Sequence, residues 1–163
     1  MIYIEKQTSK TRKYITLAIL TLAFWIPYKI STELVISTTD SLGRTVFWMT
    51  DSMAIKGDYG LFTFPPHPYI TARGLEGQTF TKIVACVGGD RLERYGQEVF
   101  CNGRFLATIK TLDSAGQPLP DSQLPETIPE GMAFMLGTHA SSGDSRYFGL
   151  VPLDKVKKVI PLW

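Results

Sequence analysis

The sequence has 163 residues, of which 44% are hydrophobic and 20% are charged, and its formal net charge is +2. This length suits one domain with an appendage, and the hydrophobic content is sufficient for a packed core, which argues against a disordered chain. The small net charge and the lack of a basic stripe with interleaved aromatic residues argue against a nucleic-acid-binding protein.

A basic segment followed by an apolar segment opens the chain. Residues 1–13 carry four basic side chains and one acidic side chain, whereas residues 14–28 carry no charge. This pattern is typical of membrane targeting, and we predict a single transmembrane anchor over residues 14–31. The positive-inside rule keeps residues 1–13 in the cytoplasm and sends a domain of residues 32–163 across the membrane. A cleavable signal peptide is disfavoured because no small-x-small site follows, and a buried core helix is disfavoured by the basic cluster.

The remaining sequence alternates between short strand-like segments and turns. β-Branched and aromatic residues bounded by turn residues predict strands at residues 34–39, 45–50, 59–64, 79–87, 97–101, 104–109 and 131–137. Asn102-Gly103 is a type I′ hairpin signal, P-P-H-P at residues 65–68 is a rigid loop that contains His67, and residues 113–131 form a long loop. The predicted fold is therefore mostly β, a domain of short antiparallel strands preceded by one N-terminal transmembrane helix.

One charge interrupts the most strand-like segment, T-F-T-K-I-V-A-C-V at residues 79–87. Lys82 is flanked by apolar residues on both sides, which leaves two interpretations. The side chain points outward on the alternating face, which is the usual position of a lone strand lysine. Alternatively, the side chain is buried, and desolvation then lowers its pKa.

A polar stretch, G-T-H-A-S-S-G-D-S-R, runs from Gly137 to Arg146 and is followed at once by aromatic and apolar residues. A polar turn that leads into a strand is the simpler interpretation. The alternative is a loop that shapes a functional site from within a β-rich domain, because loops on a rigid scaffold often carry function. Composition alone leaves both interpretations open.

Three segments together resemble the signal peptidase I (serine-lysine) family, and most closely its conjugative-transfer TraF-type branch. K-I-V-A-C-V-G-G-D at Lys82–Asp90 is similar to the family's lysine box, and S-S-G-D-S-R-Y-F-G-L-V-P at Ser141–Pro152 is similar to its last box. T-T-D-S-L-G-R-T-V-F-W at Thr38–Trp48 is similar to the serine box of the TraF branch. Gly43 departs from the pattern, because the family usually has proline two residues after the serine, and glycine leaves the backbone less fixed. The resemblance implies a signal-peptidase-like β domain behind a membrane anchor.

The resemblance implies a serine peptidase in which Ser41 is the nucleophile and Lys82 is the general base. A free lysine has a pKa of about 10.4 and is a poor base near neutral pH, so this role requires the buried orientation of Lys82. Ser52 in D-S-M-A matches the serine-methionine form of the motif, but it lies too close to the Gly57-Asp58 turn to leave room for a substrate-binding strand. We therefore expect Ser41 rather than Ser52 to react.

The resemblance also implies a set of supporting residues. The backbone N–H of Ser41 and the hydroxyl of Thr39 are expected to stabilise the oxyanion of the tetrahedral intermediate. Ser142 is expected to orient the lysine by a hydrogen bond. Asp144 is expected to pair with Arg146, and we interpret this pair as structural support rather than as reacting groups.

The chain contains two cysteines and two histidines, and it lacks H-E-x-x-H, C-x-x-C, G-x-G-x-x-G and Walker-type motifs. We therefore expect no metal and no small-molecule cofactor. His139 lies close to the last box, but the family uses no histidine base. Cys86 and Cys101 are expected on neighbouring strands, where an oxidising periplasm favours a disulfide, and a buried free thiol is the alternative.

The function that the resemblance implies is that of a serine endopeptidase in the inner membrane, with its catalytic domain in the periplasm and with membrane lipid and a precursor protein as partners. Within the TraF-type branch the precursor is a conjugative propilin, and processing can end in pilin cyclisation instead of hydrolysis. The alternatives are a general type I signal peptidase and a catalytically silent pilus-assembly protein, which Gly43 keeps open. A self-cleaving repressor is disfavoured, because it needs a DNA-binding helix-turn-helix where this chain has an apolar segment.

Overall fold

The computed structural model describes residues 2–38, 41–64 and 66–162, with residues 2–9 described by their backbone alone. The chain divides into two compact units, Met1–Leu34 and Val35–Trp163. The first unit is helical, and the second consists mainly of β-strands. The predicted fold class, mostly β with one apolar N-terminal helix, is therefore confirmed.

Helix α1 runs from Ile2 to Glu33 and is longer at both ends than the predicted anchor over residues 14–31. Its segment Lys10–Glu33 has a mean hydropathy of 1.4 and contains no buried residue, and it is long and apolar enough to cross a membrane. Pro27 lies inside the helix rather than at its end. An interior proline removes one backbone donor and crowds the preceding turn, and α1 nevertheless continues to Glu33.

The second unit contains two antiparallel sheets. The strands of the larger sheet are β1 (Leu34–Ile36), β2 (Val46–Met53), β3 (Tyr59–Thr63), β4 (Thr79–Val87), β8 (Met132–Leu136), β9 (Val151–Pro152) and β10 (Lys157–Pro161). Their spatial order is β1, β2, β10, β3, β4, β8 and β9. The strands of the smaller sheet are β5 (Leu92–Tyr95), β6 (Glu98–Cys101) and β7 (Arg104–Thr108). The longest strand, β4, coincides with the segment that the sequence marked as most strand-like.

Strand β10 lies between β2 and β3 and pairs antiparallel with both. Val159 stands opposite Met49 of β2 and opposite Tyr59 of β3. This strand was not predicted, because the mixed charge of K-V-K-K-V-I hides its alternation. In the sheet Val159 is buried and the adjacent Ile160 is exposed, so the strand contributes one face to the core.

The hairpin of the smaller sheet has the turn that the sequence predicted. Asn102 and Gly103 connect β6 to β7 with φ angles of 49° and 76°. These left-handed values are the ones that a type I′ turn requires. Strand β5 was not predicted, although it pairs antiparallel with β6 from Leu92 to Tyr95.

A disulfide between Cys86 in β4 and Cys101 in β6 joins the two sheets. The expectation that the two cysteines lie on neighbouring strands was wrong, because β4 and β6 belong to different sheets. Both cysteines are buried in a core cluster that also contains Val99 and Phe134. For a sequence separation of 15, chain entropy alone gives such a link about 3 kcal/mol of stabilisation.

A short helix, α2 (Pro68–Thr71), replaces part of the loop that P-P-H-P predicted. His67 caps it, because its Nδ1 accepts a hydrogen bond from the N–H of Tyr69 at 3.2 Å. His67 is therefore a capping residue. The long loop over residues 113–131 agrees with the prediction, since the structure describes no helix and only isolated bridges along it.

Candidate active site

A cleft of about 430 Å³ in the second unit is lined by Ser41, Lys82 and Ser142. These residues lie far apart in the sequence. Ser41 follows β1, Lys82 lies in β4, and Ser142 lies between β8 and helix α3, which spans Ser145–Phe148. The other lining residues are Phe64, Tyr69, Arg73, Leu75, Phe80, His139, Ser141 and Gly143. The fold thus brings two hydroxyl groups and an amine to one concave surface.

The polar stretch at residues 137–146 holds the backbone of Ser41. The Ser41 carbonyl oxygen accepts hydrogen bonds from the N–H of Thr138 at 2.8 Å, from the Thr138 hydroxyl at 3.2 Å and from the N–H of His139 at 3.3 Å. Ser41 itself is 8% exposed. From the sequence, this stretch was expected to orient Lys82 through Ser142. The structure shows that it also fixes the position of Ser41.

The backbone after Ser41 gives a physical reason for the departure from the family pattern. Gly43 has a φ angle of +62°, in the left-handed region. Proline fixes φ near −65° and cannot take this conformation. The turn that follows Ser41 therefore favours glycine, and it takes a path that a proline at this position would not allow.

Lys82 is buried, with 2% of its surface exposed. It lies on the same face of β4 as Val84, and Gly60 of β3 stands directly opposite it. Burial disfavours the ammonium form and lowers the pKa of Lys82 to about 8, while the charge of Asp144 raises the pKa and that of Arg146 lowers it further. The described residues give the amine no hydrogen-bond or ion-pair partner. Of the two interpretations of this lysine, the structure therefore shows the buried one.

Ser142 carries a buried hydroxyl whose Oγ has no hydrogen-bond partner among the described residues. Gly137 makes room for it, because a Cβ at residue 137 would overlap the Ser142 Oγ and lie 3.1 Å from the Ser41 carbonyl oxygen. A buried polar atom without a partner is unfavourable and needs a reason to be retained. This hydroxyl is available to an amine or to a substrate group inside the cleft.

Asp144 and Arg146 form a buried ion pair behind the cleft. Two guanidinium nitrogens of Arg146 donate to the two carboxylate oxygens at 2.7 and 2.8 Å. The carboxylate also accepts from the N–H of Gly137 at 3.0 Å, and the guanidinium donates to the carbonyl oxygens of Thr108 and Ser142 at 2.8 and 3.2 Å. A buried pair whose donors and acceptors are satisfied is suited to holding the backbone in place rather than to proton transfer.

Helix α3 begins directly after Asp144, whose side chain accepts a hydrogen bond from the N–H of Arg146 at 3.2 Å. The hydroxyl of Ser145 accepts from the N–H of Met135 in β8 at 2.8 Å. The interpretation of this region as a polar turn that leads straight into a strand was wrong. The capping aspartate instead turns Ser145–Phe148 into a helix.

Three other residues singled out from the sequence are placed as follows. The Nδ1 of His139 accepts a hydrogen bond from the N–H of Ser141 at 3.1 Å, so the neutral ring carries its proton on Nε2 and offers no lone pair for a base. Ser52 is exposed on β2 and is not among the residues that line the cleft. Thr39 lies outside the described residues.

Among the described residues, Cys86, Asp90 and Cys101 form a group whose ligand atoms are close enough to hold a metal, within 4.8 Å of one another. The disulfide uses both sulfurs. The Asp90 carboxylate accepts hydrogen bonds from the Lys56 ammonium at 2.7 Å and from the N–H of Val87 at 2.9 Å. These three residues therefore stabilise the turn after β4 and are poorly suited to binding a metal.

One wall of the cleft was not anticipated from the sequence. It comes from α2 and the turn after it, and it includes Tyr69 and Arg73. A partial signal was present, because proline at the first helical position is typical of a helix start, although histidine is not among the usual capping residues. The interpretation of P-P-H-P as a rigid loop concealed it.

A hydroxyl and a buried amine in one cleft are the groups that a serine-type hydrolase with a lysine base requires. The sequence model of the signal peptidase family, peptidase S26, matches residues 10–163. The chain belongs to this family. Membership supports the function of a membrane signal peptidase, which is a serine endopeptidase that acts on precursors bearing a signal peptide. Helix α1 fits the single-pass membrane anchor of such an enzyme.

Among solved structures, the chain is similar to the crystal structure of a signal peptidase I from Enterococcus faecalis V583. The identity is 25%, the similarity covers 67% of this chain and 99% of that chain, and the TM-score is 0.41. No curated protein sequence matches the chain significantly. The family is therefore established by the sequence model, and the TraF-type branch remains a proposal.

Proposed function

We propose that the chain is a membrane-anchored serine endopeptidase in which Ser41 is the nucleophile and Lys82 is the general base. The observation that carries this proposal is the cleft that both residues line, in which burial lowers the pKa of the lysine to about 8. At that pKa roughly a tenth of the lysine is neutral at pH 7, whereas an exposed lysine is almost entirely protonated. Burial thus supplies the base that the serine needs.

In the proposed reaction the neutral amine of Lys82 takes the proton from the Ser41 hydroxyl as Ser41 Oγ attacks the scissile carbonyl. The N–H of Ser41 and the hydroxyl of Thr39 stabilise the oxyanion. The ammonium of Lys82 then returns its proton to the leaving amine, and an acyl-enzyme on Ser41 remains. Water attacks the ester with Lys82 again acting as base, which releases the acid and restores the serine.

The supporting residues have positioning roles in this proposal. Ser142 orients the amine of Lys82, and its buried hydroxyl, which has no other partner among the described residues, supports that role. Asp144 and Arg146 hold the backbone of residues 137–142 by the hydrogen bonds described above. The carboxylate also stabilises the ammonium that Lys82 becomes during the reaction, because its charge raises the pKa of that lysine.

The proposed topology follows the charge pattern of the first segment. Residues 1–13 stay in the cytoplasm, residues 14–31 cross the inner membrane, and residues 32–163 form the peptidase domain on the periplasmic side. The disulfide between Cys86 and Cys101 supports this placement, because disulfides persist in the periplasm and are rare in the cytosol. Membrane lipid is then a partner of α1.

The proposed substrate is a conjugative propilin, as the TraF-like serine box at Thr38–Trp48 implies. An amine of the pilin itself can then replace water as the attacking group, so that the acyl-enzyme ends as a cyclic amide. A general type I signal peptidase is the second candidate, supported by the family match. A silent pilus-assembly protein is the third, and Gly43 keeps it open, because the turn after Ser41 differs from the proline form.

A direct test incubates the full chain in detergent micelles with a propilin and, separately, with a signal-peptide-bearing precursor, and analyses the products by mass spectrometry. We expect cleavage of the propilin and a product lighter by one water than the hydrolysed pilin. Cleavage of the second precursor alone would favour a general signal peptidase. If neither precursor is cut by the wild-type chain, the peptidase proposal is wrong.

A further inference from the structure

The cleft has a second lobe beyond Ser142. This space, about 350 Å³ in volume, shares Tyr69, Arg73, Ser141 and Ser142 with the space that contains Ser41. We call it the Arg73 lobe, and its further lining includes Lys110, Asp113 and Ser114. None of these last three residues has a part in the proposed chemistry. Because the four shared residues line both spaces, the lobe adjoins the space that contains Ser41.

A stack of rings fixes the position of the Arg73 guanidinium in the lobe. The ring of Tyr147 in α3 stacks on the ring of Tyr69, with centroids 5.9 Å apart and an interplanar angle of 29°. The guanidinium carbon of Arg73 lies 4.0 Å from the Tyr69 ring centroid. The outer edge of the guanidinium reaches Asp113 at 3.2 Å. Arg73 is therefore a preorganised planar cation rather than a mobile surface side chain.

The carboxylate of Asp113 is occupied by its own loop. One oxygen accepts hydrogen bonds from the N–H groups of Ala115 and Gln117, both at 2.9 Å, and the other accepts from Arg73. These bonds hold the pKa of Asp113 below its usual range, chiefly through the backbone of Gln117. Asp113 therefore stays ionised and offsets the charge of Arg73.

Lys110 adds a positive charge that no carboxylate of the described residues offsets. Its backbone is fixed, because its N–H donates to the Tyr147 hydroxyl at 3.0 Å. Its ammonium donates to the hydroxyl of Ser141 at 3.3 Å, and the described residues provide it no acidic partner. With Arg73 and Asp113 balanced, the lobe has a net charge of about +1, and three serines also line it.

We infer that the Arg73 lobe is a specificity site that binds an acidic side chain of the precursor close to the bond that Ser41 cuts. Lys110 supplies the unbalanced charge, and Arg73 supplies a fixed planar donor beside it. The inference deepens the proposed function and rests on it, since it requires a peptide in the same cleft. A partly exposed charge pair of this kind changes affinity by up to about fivefold.

The test uses the full chain in detergent micelles and a series of fluorogenic peptides with one cleavable bond. Each position that flanks this bond is occupied in turn by Glu, Gln or Lys. At one position we expect kcat/KM to be about fivefold higher for the Glu peptide than for the Gln peptide, and lower for the Lys peptide than for either. The three peptides should differ in KM rather than in kcat. In Lys110→Gln the preference for Glu falls towards unity, and in Lys110→Glu it reverses in favour of Lys.

Controls separate this inference from the peptidase proposal. Lys155→Gln removes an exposed lysine outside the cleft and should keep the preference for Glu. Equal rates for the three peptides at every position, with cleavage intact, would overturn the inference and leave the peptidase proposal standing. A preference of the wild-type chain for the Lys peptide would show that Asp113 rather than Lys110 determines which peptide is preferred. That result would also overturn the inference. Failure of the wild-type chain to cut any peptide would overturn both.

Discussion

Thr138 donates two hydrogen bonds to the carbonyl oxygen of Ser41, one from its N–H at 2.8 Å and one from its hydroxyl at 3.2 Å. The two residues are 97 positions apart in the chain. This contact joins the segment after β1 to the polar stretch that also carries Ser142. The polar stretch therefore positions both the candidate nucleophile and the hydroxyl that we assign to the lysine.

The Thr138 hydroxyl can be tested separately from general stability. Thr138→Val keeps the N–H bond to Ser41 and removes the hydroxyl bond. Thr50→Val is the matched control, because the Thr50 hydroxyl donates to the carbonyl oxygen of Lys158 at 3.0 Å on β2, away from the cleft. We expect both variants to lose about 1 kcal/mol of unfolding free energy. Only Thr138→Val should lower kcat/KM, and equal activity of the two variants would contradict the positioning role.

The pH dependence of activity follows from the lowered pKa of Lys82. A general base acts in its neutral form, and burial brings the pKa of this lysine to about 8. We expect kcat/KM to rise with pH and to level off above an inflection near pH 8. An inflection above pH 10 would mean that the reacting base is an exposed lysine, and a flat profile from pH 6 to 9 would contradict a lysine base.

The same pKa shift predicts an effect on stability. Between pH 8 and 10.5 the folded chain binds fewer protons at Lys82 than the unfolded chain, so unfolding free energy rises with pH in this window. Below pH 8 the buried ammonium costs on the order of 3 kcal/mol. Lys82→Met removes this cost and should be more stable than wild type at pH 7, with a difference that closes above pH 10.

Thermal unfolding of the full chain in detergent, followed by the circular dichroism of the β-sheets, measures this difference. Lys155→Met is the control, since Lys155 is 73% exposed and should show no such dependence on pH. An inactive Lys82→Met variant with unchanged stability at pH 7 would argue against the buried ammonium.

Gly137 provides a test of packing at the site. A Cβ at this residue would overlap the Oγ of Ser142 and approach the carbonyl oxygen of Ser41. We expect Gly137→Ala to lower stability by about 1–3 kcal/mol and to reduce activity, because Ser142 must move. The double variant Gly137→Ala with Ser142→Gly removes the overlap and should recover stability but not activity. Additive losses in stability would show that the two residues do not interact in this way.

Strands and turns that are determined by a few consecutive residues could be predicted from the sequence. β4 and the Asn102-Gly103 turn depend on a few neighbouring residues, and both are present as expected. The burial of Lys82 could not be read from the strand itself, because apolar residues flank it on both faces. The expectation that Lys82 is buried came instead from the family resemblance.

Features that depend on distant contacts were missed. β10 forms between β2 and β3, and its alternation is hidden by mixed charge. The cysteines were placed on neighbouring strands because sequence proximity gives no information on which sheet a strand joins. The Arg73 lobe arises where α2, the loop after β7 and the polar stretch meet, and no local motif marks it.

The most direct test of the Ser41–Lys82 assignment is precursor processing by the full chain with single substitutions. Ser41→Ala and Lys82→Ala should each abolish processing, while Ser52→Ala, on the exposed end of β2, should retain it. Processing that persists in both Ser41→Ala and Lys82→Ala, or that is lost only in Ser52→Ala, would contradict the assignment.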